Sequence, residues 1–331
     1  MSADPARSAR RVVARAPGPA EVLEVEPFDP PPPEPGEVRV AHEAIGVNFI
    51  DVYFRSGLYP WPVERDLVTG SEAAGTVDAL GEGVAGVAVG ERVAYTVANG
   101  AYATHRNVPA SQLVALPDGV GAEVAAGAML KGLTVRYLVD DSYAARPGDT
   151  VLFHAAAGGV GALAGQWLAA RGVTAIGTAG GPEKCAAATA NGFAHVIDYR
   201  AEDFVERVAE LTGGAGVDAV YDGVGRDTVA GSLACLKRFG TLVSFGQSSG
   251  PAEDFRIGDL AAGSFRLQRP VLFHYTADRA WLEAGAAELL GRLGSGALRV
   301  PIGRRFGLDE AAEAHRALES RGTTGSTVLL P

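Results

Sequence analysis

The sequence predicts an α/β protein in which a doubly wound parallel sheet is joined to a second, β-rich domain. The first observation is a short apolar strand at residues 150–154, followed by a glycine turn and by apolar residues at helical spacing up to Gly172. The second is that strand-like and helix-like segments keep alternating as far as Gly246, which is typical of a parallel sheet covered by helices. The third is a series of short β-like runs separated by glycine turns between residues 70 and 107. A chain of 331 residues is long enough for two domains that each bury a core.

The N-terminal part of the chain predicts a small all-β barrel or sandwich. Residues 11–14 and 22–25 are expected to pair as a hairpin, and the proline-rich residues 27–37 to form an extended surface connection. Residues 44–59 are interpreted as a loop in which a few polar side chains lie among apolar ones and need hydrogen-bond partners when buried. The remaining strands of this domain are predicted, in order, at residues 37–41, 75–80, 90–95 and 101–105, with closure at 113–118.

The rest of the chain predicts the parallel sheet and a return to the first domain. A long helix at residues 123–143 is expected to connect the two. The sheet strands are predicted at residues 150–154, 173–178, 194–198, 217–222, 241–246 and 267–273, with helices at 202–211 and 227–238. The segments expected to return are helices at 279–293 and 308–320 and strands near 298–301 and at 326–330.

The glycine turn after residue 154 predicts a dinucleotide site. Ala156, Gly158 and Gly161 form an A-x-G-x-x-G variant, in which small residues let the backbone approach a pyrophosphate at a helix N-terminus. The alternative is a tight turn that binds nothing. The acid that usually binds an NAD ribose about 20 residues further on is absent, because residues 177–182 contain no carboxylate. Lys184 lies two residues beyond this stretch, so the sequence favours NADP over NAD.

Composition excludes several classes of function. A net charge of −10 argues against a general nucleic-acid binder. The two cysteines, Cys185 and Cys235, form no C-x-x-C pattern, which indicates a reduced, cytoplasmic protein without a structural zinc cluster. No apolar run is long enough to span a membrane. Residues 1–11 are rich in Ala and Arg with no apolar segment after them, which favours a frayed start over a signal peptide.

Five blocks of the sequence resemble a known family. They are Asn48-Phe-Ile-Asp-Val-Tyr-Phe-Arg-Ser-Gly-Leu-Tyr-Pro60, Lys131-Gly-Leu-Thr134, His154-Ala-Ala-Ala-Gly-Gly-Val-Gly161, Tyr221-Asp-Gly-Val-Gly225 and Ser244-Phe-Gly246. In this order and spacing they resemble the zinc-free quinone oxidoreductases of the medium-chain dehydrogenase/reductase superfamily, which include ζ-crystallin, and above all the bacterial NADPH:quinone reductases. The resemblance implies a GroES-like catalytic domain at residues 1–127, completed by 266–331. It also implies a Rossmann NADP-binding domain at 128–265, with the nicotinamide in the cleft between the two domains.

The same resemblance implies the site residues. Those implied for catalysis, lining the nicotinamide and quinone pocket, are Asn48, Asp51, Tyr53 and Tyr59. Those implied for NADPH binding are Lys131, Thr134, Ala157, Gly158, Gly159, Val160, Gly180, Lys184, Tyr199, Val224, Phe245, Gly246, Val271, Phe273 and Arg321. Two departures from the family pattern are Gly181, where relatives often have Ser or Thr, and the individual segment 271–275.

Other interpretations of these residues stay open. Lys184 and Arg321 could be solvated surface charges, the two tyrosines could be core aromatics, and Asp51 could serve only to fix the backbone. No metal is expected, because Val47, Asn48 and Ser71 stand where zinc-dependent relatives place Cys and His ligands.

Three further expectations concern function and assembly. The same cleft could serve an NADPH-dependent reductase of α,β-unsaturated carbonyls. The non-enzyme alternative is an NADPH-binding crystallin-like or nucleic-acid-binding protein. A homodimer is expected by resemblance and from the apolar, β-prone residues 267–275 at a sheet edge.

Overall fold

The computed structural model describes residues 9–331, and the chain divides into two compact units. The first unit is Met1–Leu130 with Phe273–Pro331, and the second is Lys131–Leu272. The boundaries predicted from the sequence, at residues 127/128 and 265/266, differ from these by a few positions. Most of the predicted frayed start lies outside the described residues, and a strand begins at Arg10.

The first unit is built from two antiparallel or mixed sheets. A three-stranded sheet has the order β2 (Leu23–Pro27), β1 (Arg10–Ala14) and β4 (Leu67–Val68). The larger sheet has seven strands: β15 (Ile302–Gly307), β16 (Ser326–Leu330), β3 (Glu37–Val47), β5 (Glu72–Leu80), β6 (Arg92–Thr96) and β8 (Val114–Ala115) in order, with β7 (His105–Pro109) also paired to β3. Its helices are α1 (Phe49–Ser56), α2 (Ala122–Ala126), α9 (Arg279–Gly294) and α10 (Ala311–Glu319), with most of α8 (Leu272–Thr276). The alternating strands bury a core that includes Val38, Val40, Tyr95 and Tyr102.

The second unit is a six-stranded parallel sheet. Its order is β11 (His195–Asp198), β10 (Thr174–Ala179), β9 (Thr150–Phe153), β12 (Val217–Asp222), β13 (Leu236–Ser244) and β14 (Arg266–Gln268). Its helices are α4 (Gly159–Ala170), α5 (Pro182–Ala190), α6 (Phe204–Leu211) and α7 (Val229–Ala234), and α3 (Met129–Tyr137) leads into it. The strands read as nearly continuous apolar runs because a parallel sheet is buried on both faces. The predicted fold class, an α/β protein with a doubly wound parallel sheet and a β-rich domain, is confirmed.

Several predicted elements differ from the structure. The hairpin of β1 and β2 forms with Val12 opposite Val25, but residues 44–59 are not a loop, because α1 lies within them. The predicted helix 123–143 is broken after α2, where Gly127 packs so closely that a Cβ would lie 2.8 Å from Ile302 Cδ1. A π-helical turn, Leu138–Ser142, follows α3.

The C-terminal strands also differ from the prediction. Only residues 267 and 268 of the predicted strand 267–273 lie in a strand, β14; Pro270 cannot donate to a ladder, and α8 begins at Leu272. The strand predicted near 298–301 begins later, at Ile302. The strand predicted at 101–105 begins only at His105, as β7, after one bridge between Ala103 and Arg11. The helix predicted at 227–238 ends at Ala234. Helix α5 was not predicted. In the described part of the chain, no helix is both long and apolar enough to cross a membrane.

Candidate active site

The carboxyl edge of the parallel sheet in the second unit provides a crevice for a ligand. The strand order reverses between β9 and β12, so the loops that follow these two strands turn to opposite sides. Open α/β sheets bind ligands at such a switch point. The predicted residues Ala157 to Val160 follow β9, and Val224 follows β12. The sequence therefore brings these two predicted groups to neighbouring strand ends.

The turn after β9 has the geometry of a phosphate-binding turn. Ala155 is in the left-handed region with φ of +57°, and the Gly158 N–H donates to the Ala155 carbonyl at 2.9 Å. Gly158 is the N-cap of α4, whose first-turn amides point along the helix axis toward the turn. A Cβ on Gly161 would lie 2.5 Å from the Ala155 oxygen and 2.6 Å from the Ala156 oxygen. The helix N-terminus can thus reach an anion only because Gly161 lacks a side chain.

The loop after β12 is held by a carboxylate that the sequence reasoning missed. Asp222 is fully buried, and its Oδ1 accepts the N–H groups of Val224 at 2.8 Å and Gly225 at 3.0 Å. The Thr228 hydroxyl donates to the same carboxylate at 2.8 Å. These bonds fix the Gly-Val-Gly turn. The available sequence signal was an acid directly before Gly-x-Gly at a strand end.

A buried histidine joins the ends of β9, β10 and β12. The Ser232 hydroxyl donates to Asp222 Oδ2 at 2.8 Å, so the 3.0 Å contact between His154 Nε2 and Ser232 needs a proton on Nε2. His154 Nδ1 then accepts the Thr178 hydroxyl at 2.9 Å. Burial lowers the pKa of His154, which keeps the ring neutral and fits this assignment.

Two predicted residues after β13 are packed against the same loops. Phe245 stacks on Phe153 with ring centroids 5.7 Å apart, and its N–H donates to the Asp222 carbonyl at 2.9 Å. A Cβ on Gly246 would lie 2.7 Å from the Gly223 carbonyl oxygen. Phe245 and Gly246 therefore lie beside the Val224 turn.

Three of the four residues predicted to surround the 2′-phosphate, Gly180, Lys184 and Tyr199, lie just after β10 and β11, whereas the fourth, Arg321, belongs to the first unit. A Cβ on Gly180 would meet the Tyr199 hydroxyl at 2.5 Å, so the Tyr199 side chain lies directly on the turn. Lys184 is half-buried in the first turn of α5. Arg200 was not predicted; its guanidinium lies 3.4 Å from the position of a Cβ on Gly181. Two cations therefore flank a glycine turn.

Asp198, an acid at this corner, is already engaged. Asp198 Oδ1 accepts the Gly181 N–H at 2.9 Å and the Arg200 N–H at 3.0 Å. These backbone donors, with the charge of Arg200, hold the pKa of Asp198 below its ordinary value. The carboxylate thus fixes the glycine turn that carries the site.

The remaining predicted cofactor residues are placed as follows. Lys131 and Thr134 are buried in α3 of the second unit. Val271 is exposed and directly precedes α8. Phe273 lies on α8, in the first unit. Arg321 follows α10, also in the first unit, with φ of +56°.

The four residues predicted for catalysis lie on α1 or at its ends, in the first unit. Asn48 is the N-cap, and its N–H donates to Asp51 Oδ2 at 2.9 Å. The Asn48 amide donates to Glu72 Oε1 at 2.9 Å, and Glu72 also accepts the Leu130 N–H at 2.6 Å. Asn48, Asp51 and Glu72 are buried, so these bonds satisfy polar groups that could not reach water.

The two predicted tyrosines are in contact. Their rings are 5.2 Å apart between centroids, and Tyr59 also packs edge-on against Phe54 at 5.6 Å. The Tyr59 N–H donates to the Tyr53 carbonyl at 3.0 Å, after a left-handed turn at Gly57 with φ of +80°. Tyr53 is nearly buried and Tyr59 half-buried. The structure therefore forms one aromatic pair from these two residues.

A second buried network, behind α1, was not predicted. Asp51 accepts the Ser71 hydroxyl at 2.7 Å and the Tyr102 hydroxyl at 3.2 Å, and Tyr102 contacts His315 Nε2 at 2.9 Å. Arg55 is buried and binds His315 and Glu319. Tyr102 and His315 are 213 positions apart, so no local pattern could have paired them.

Comparisons with known proteins agree with this architecture. Residues 34–118 match the family model "Alcohol dehydrogenase GroES-like domain", and residues 191–329 match "Zinc-binding dehydrogenase". The chain is 49% identical to a quinone oxidoreductase of Pseudomonas aeruginosa over 325 residues, covering 98% of this chain and 100% of the other. It is 42% identical to a 2-haloacrylate reductase of a Burkholderia species, covering 90% and 92%.

A solved structure gives the same result. The crystal structure of Escherichia coli quinone oxidoreductase complexed with NADPH superimposes with a TM-score of 0.94 at 44% identity, covering 97% of this chain and all of that one.

Proposed function

Because this chain belongs to the quinone oxidoreductase family of the medium-chain dehydrogenase/reductase superfamily, we propose that it reduces quinones with NADPH. The observation that carries the proposal is the switch point of the parallel sheet, where a glycine turn and a cationic corner occupy adjacent strand ends. NADPH, when bound there, supplies the hydride. The protein binds the cofactor and the acceptor, orients them and shields them from water.

Most of the residues proposed to bind the cofactor lie in the second unit. The α4 N-terminus and the backbone from Ala157 to Val160 hold the pyrophosphate, since free amides and the helix dipole attract an anion. Lys184 and Arg200 bind the 2′-phosphate, with the Tyr199 hydroxyl beside them. Val224, Phe245 and Gly246 orient the nicotinamide. Lys131, Thr134, Val271, Phe273 and Arg321 complete the cofactor-binding set.

The residues of α1 bind the quinone. The aromatic pair Tyr53 and Tyr59 offers apolar area to a flat acceptor. A tyrosine hydroxyl can also donate a hydrogen bond to the quinone oxygen on which negative charge develops. A quinone is a strong electrophile whose reduction needs no strong acid, so the tyrosines position the acceptor and water provides the protons. Asn48 and Asp51 fix the first turn of the helix.

The reaction proceeds without zinc, and the residues at the zinc position of related dehydrogenases support this. Val47 offers no donor atom, and the Asn48 amide already donates to Glu72. The Ser71 hydroxyl donates to Asp51. Within residues 9–331, no three His, Cys, Asp or Glu side chains are grouped to hold a metal ion. A thiolate or imidazole set is needed for tight zinc binding, and these residues do not fit one.

One relative gives a specific reason to consider α,β-unsaturated carbonyl compounds as a second class of acceptor. The 2-haloacrylate reductase relative acts, by its name, on an activated C=C bond conjugated to a carbonyl group. An enone is flat and electrophilic like a quinone, so the same aromatic pair suits both. A direct comparison of the two acceptors decides between them.

We also propose a homodimer and a cytoplasmic location. The short strand β14 is the terminal strand of the parallel sheet, and Leu267 on it is exposed. An open edge of this kind pairs readily with a second copy. Leu267→Asp should convert a dimer to a monomer by light scattering, whereas Val89→Asp, which changes an exposed residue of the first unit, should not; a wild-type monomer would contradict the proposal. The two cysteines are free, as in a reducing compartment, and cell fractionation tests this location.

The decisive experiment is an acceptor screen. Purified protein is mixed with NADPH or NADH and with a benzoquinone, 2-chloroacrylate or a simple enone, and oxidation is followed at the nicotinamide absorbance. We expect the highest kcat/KM with NADPH and the quinone, and no loss of activity after chelation. No oxidation with any quinone would refute the proposal, and stoichiometric zinc lost together with activity would refute its zinc-free form.

A further inference from the structure

Helix α1 presents two opposite faces with different partners. Asp51 and Arg55 are four positions apart and share one face, while Phe49 and Tyr53 share another. The two pairs are offset by two residues, which is about 200° around a helix with 3.6 residues per turn. The Phe49 and Tyr53 rings lie 6.2 Å apart between centroids, and Tyr59 packs on Tyr53. The aromatic face is therefore the reverse of the face that carries Asp51 and Arg55.

The face with Asp51 and Arg55 is linked to the C-terminal helix α10. Arg55 donates from its two terminal nitrogens to Glu319 at 2.8 and 2.7 Å, and from Nη1 to His315 Nδ1 at 3.3 Å. His315 Nε2 lies 2.9 Å from the Tyr102 hydroxyl, which lies 3.2 Å from Asp51 Oδ2. A continuous chain of hydrogen bonds thus leaves α1 at Arg55 and returns to it at Asp51.

The direction of this chain follows from the donors available. A guanidinium can only donate, so His315 Nδ1 must accept from Arg55. Burial, with Arg55 nearby, lowers the pKa of His315 to about 3, so the ring is neutral and its single proton is on Nε2. That proton goes to the Tyr102 oxygen, and the Tyr102 proton goes to Asp51. Burial and the Asp51 charge raise the pKa of Tyr102 well above its ordinary value, so it stays a donor.

Each proton in this chain of hydrogen bonds has one acceptor. The tautomer of His315 alone sets the direction of the chain. A ring with the proton on Nδ1 would place two donors, Nδ1 and the Arg55 guanidinium, against each other. The single Tyr102 proton would then face two acceptors, Nε2 and Asp51. His42 shows the reverse arrangement in the same unit: its Nδ1 lies 2.7 Å from the Ala103 carbonyl, which can only accept, so its Nε2 accepts the Tyr95 hydroxyl at 2.9 Å. Neither of these two hydrogen bonds of His42 involves a residue of α1.

We propose that His315 is a positioning residue for α1, which holds the Tyr53–Tyr59 pair in place through Tyr102 and Arg55. The proposal rests on the proposed function, in which that pair binds the acceptor. Two anchors four residues apart fix both the rotation and the axial position of a helix only two turns long. Without His315, Asp51 keeps its bond from Ser71 and Arg55 keeps its bonds to Glu319, but the link that joins these two anchors is lost, and the aromatic face is held less firmly in one orientation. Misplaced acceptor contacts lower the rate of the chemical step more than the affinity for the cofactor.

Three variants and one control test the proposal. His315→Leu removes both bonds of the ring, and His315→Gln keeps an N–H for Tyr102. Tyr102→Phe removes one oxygen atom and keeps the packing. Tyr95→Phe is the matched control, because Tyr95 is an equally buried tyrosine bonded to another buried histidine, away from α1. The measurements are kcat and KM for a benzoquinone at saturating NADPH, the NADPH Kd, the Tm, and hydrogen exchange of the peptide that contains α1.

The expected result separates positioning from stability. Tyr102→Phe and Tyr95→Phe should lower the Tm similarly, but only Tyr102→Phe and His315→Leu should lower kcat/KM, by about tenfold, with the NADPH Kd within about twofold of wild type. His315→Gln should recover most of the loss. Equal kcat/KM in Tyr102→Phe and Tyr95→Phe would overturn the proposal. If His315→Leu does not fold, Tyr102→Phe and His315→Gln decide alone.

Hydrogen exchange keeps this inference distinct from the proposed function. A wild-type protein that reduced no quinone would refute the function, and the positioning role would then be judged on α1 alone. Faster exchange of α1 in Tyr102→Phe than in Tyr95→Phe supports it, and equal exchange overturns it.

Discussion

Gly161→Ala tests whether the N-terminus of α4 binds the cofactor pyrophosphate. The new Cβ would lie 2.5 Å from the Ala155 carbonyl oxygen and 2.6 Å from the Ala156 oxygen, whereas real contacts of this kind stay beyond 3.0 Å. The helix must therefore move off the turn by about half an ångström. Overpacking of this severity costs about 1–3 kcal/mol, which corresponds to about 5- to 150-fold in affinity if the strain falls on the binding turn.

The control for this variant is on the same helix. A Cβ on Gly165 would lie 2.5 Å from the Asn191 carbonyl oxygen, away from the turn after β9. Gly165→Ala should therefore lower the Tm about as much as Gly161→Ala and leave cofactor binding unchanged.

The assay is titration of NADPH and NADH by nicotinamide fluorescence, with thermal unfolding in parallel. Gly161→Ala should weaken both cofactors equally, because they share the pyrophosphate. If Gly161→Ala bound NADPH as wild type does, while losing as much stability as Gly165→Ala, the assignment of the pyrophosphate to this helix would be wrong.

Three more predictions follow from the same contacts. Lys184→Ala should weaken NADPH by about 10- to 150-fold, the loss of one charge-assisted hydrogen bond, and leave NADH nearly unchanged; equal losses would show that the lysine only supports the fold. Tyr53→Phe and Tyr59→Phe should each lower kcat/KM for a benzoquinone by about 5- to 30-fold, and complete inactivation with NADPH still bound would identify an obligatory proton donor. His42 and His315 have pKa values lowered by burial to about 3. The unfolded chain takes up these protons first, so stability should fall as the pH decreases from 6.5 towards 3, by about 1.4 kcal/mol per pH unit for each histidine. Urea unfolding at several pH values measures this slope, which His42→Gln should reduce; an unchanged slope would contradict it.

The sequence by itself determined the parallel sheet and the glycine turn at its carboxyl edge. Strand 217–222 has the predicted bounds, because buried parallel strands are largely apolar runs with sharp ends, and strand 326–330 of the mixed sheet also has its predicted bounds. The phosphate turn was also visible, since glycine at fixed spacing between a strand and a helix is a local signal that needs no distant contact. The absence of a carboxylate at residues 177–182 and the presence of Lys184 were equally local.

Elements whose conformation depends on partners were predicted poorly. Residues 49–56 form a helix although they are short and rich in aromatic and β-branched residues, because Asp51 and Arg55 bind groups that come from elsewhere in the chain. Residues 272–276 form a helix although their composition favours a strand, and Pro270 before them ends the ladder. Local propensity is weak enough for such contacts to override it.

Only the tertiary structure decided the polar networks behind the site. Arg200 reaches the glycine turn of β10 only because β11 lies next to β10 in the sheet. Asp51, Tyr102 and His315 come from three separate parts of the sequence, and their hydrogen bonds depend on distances and tautomers that no periodicity encodes. A buried polar side chain requires a hydrogen-bond partner. The sequence indicates this requirement, but only the fold determines which residue is the partner.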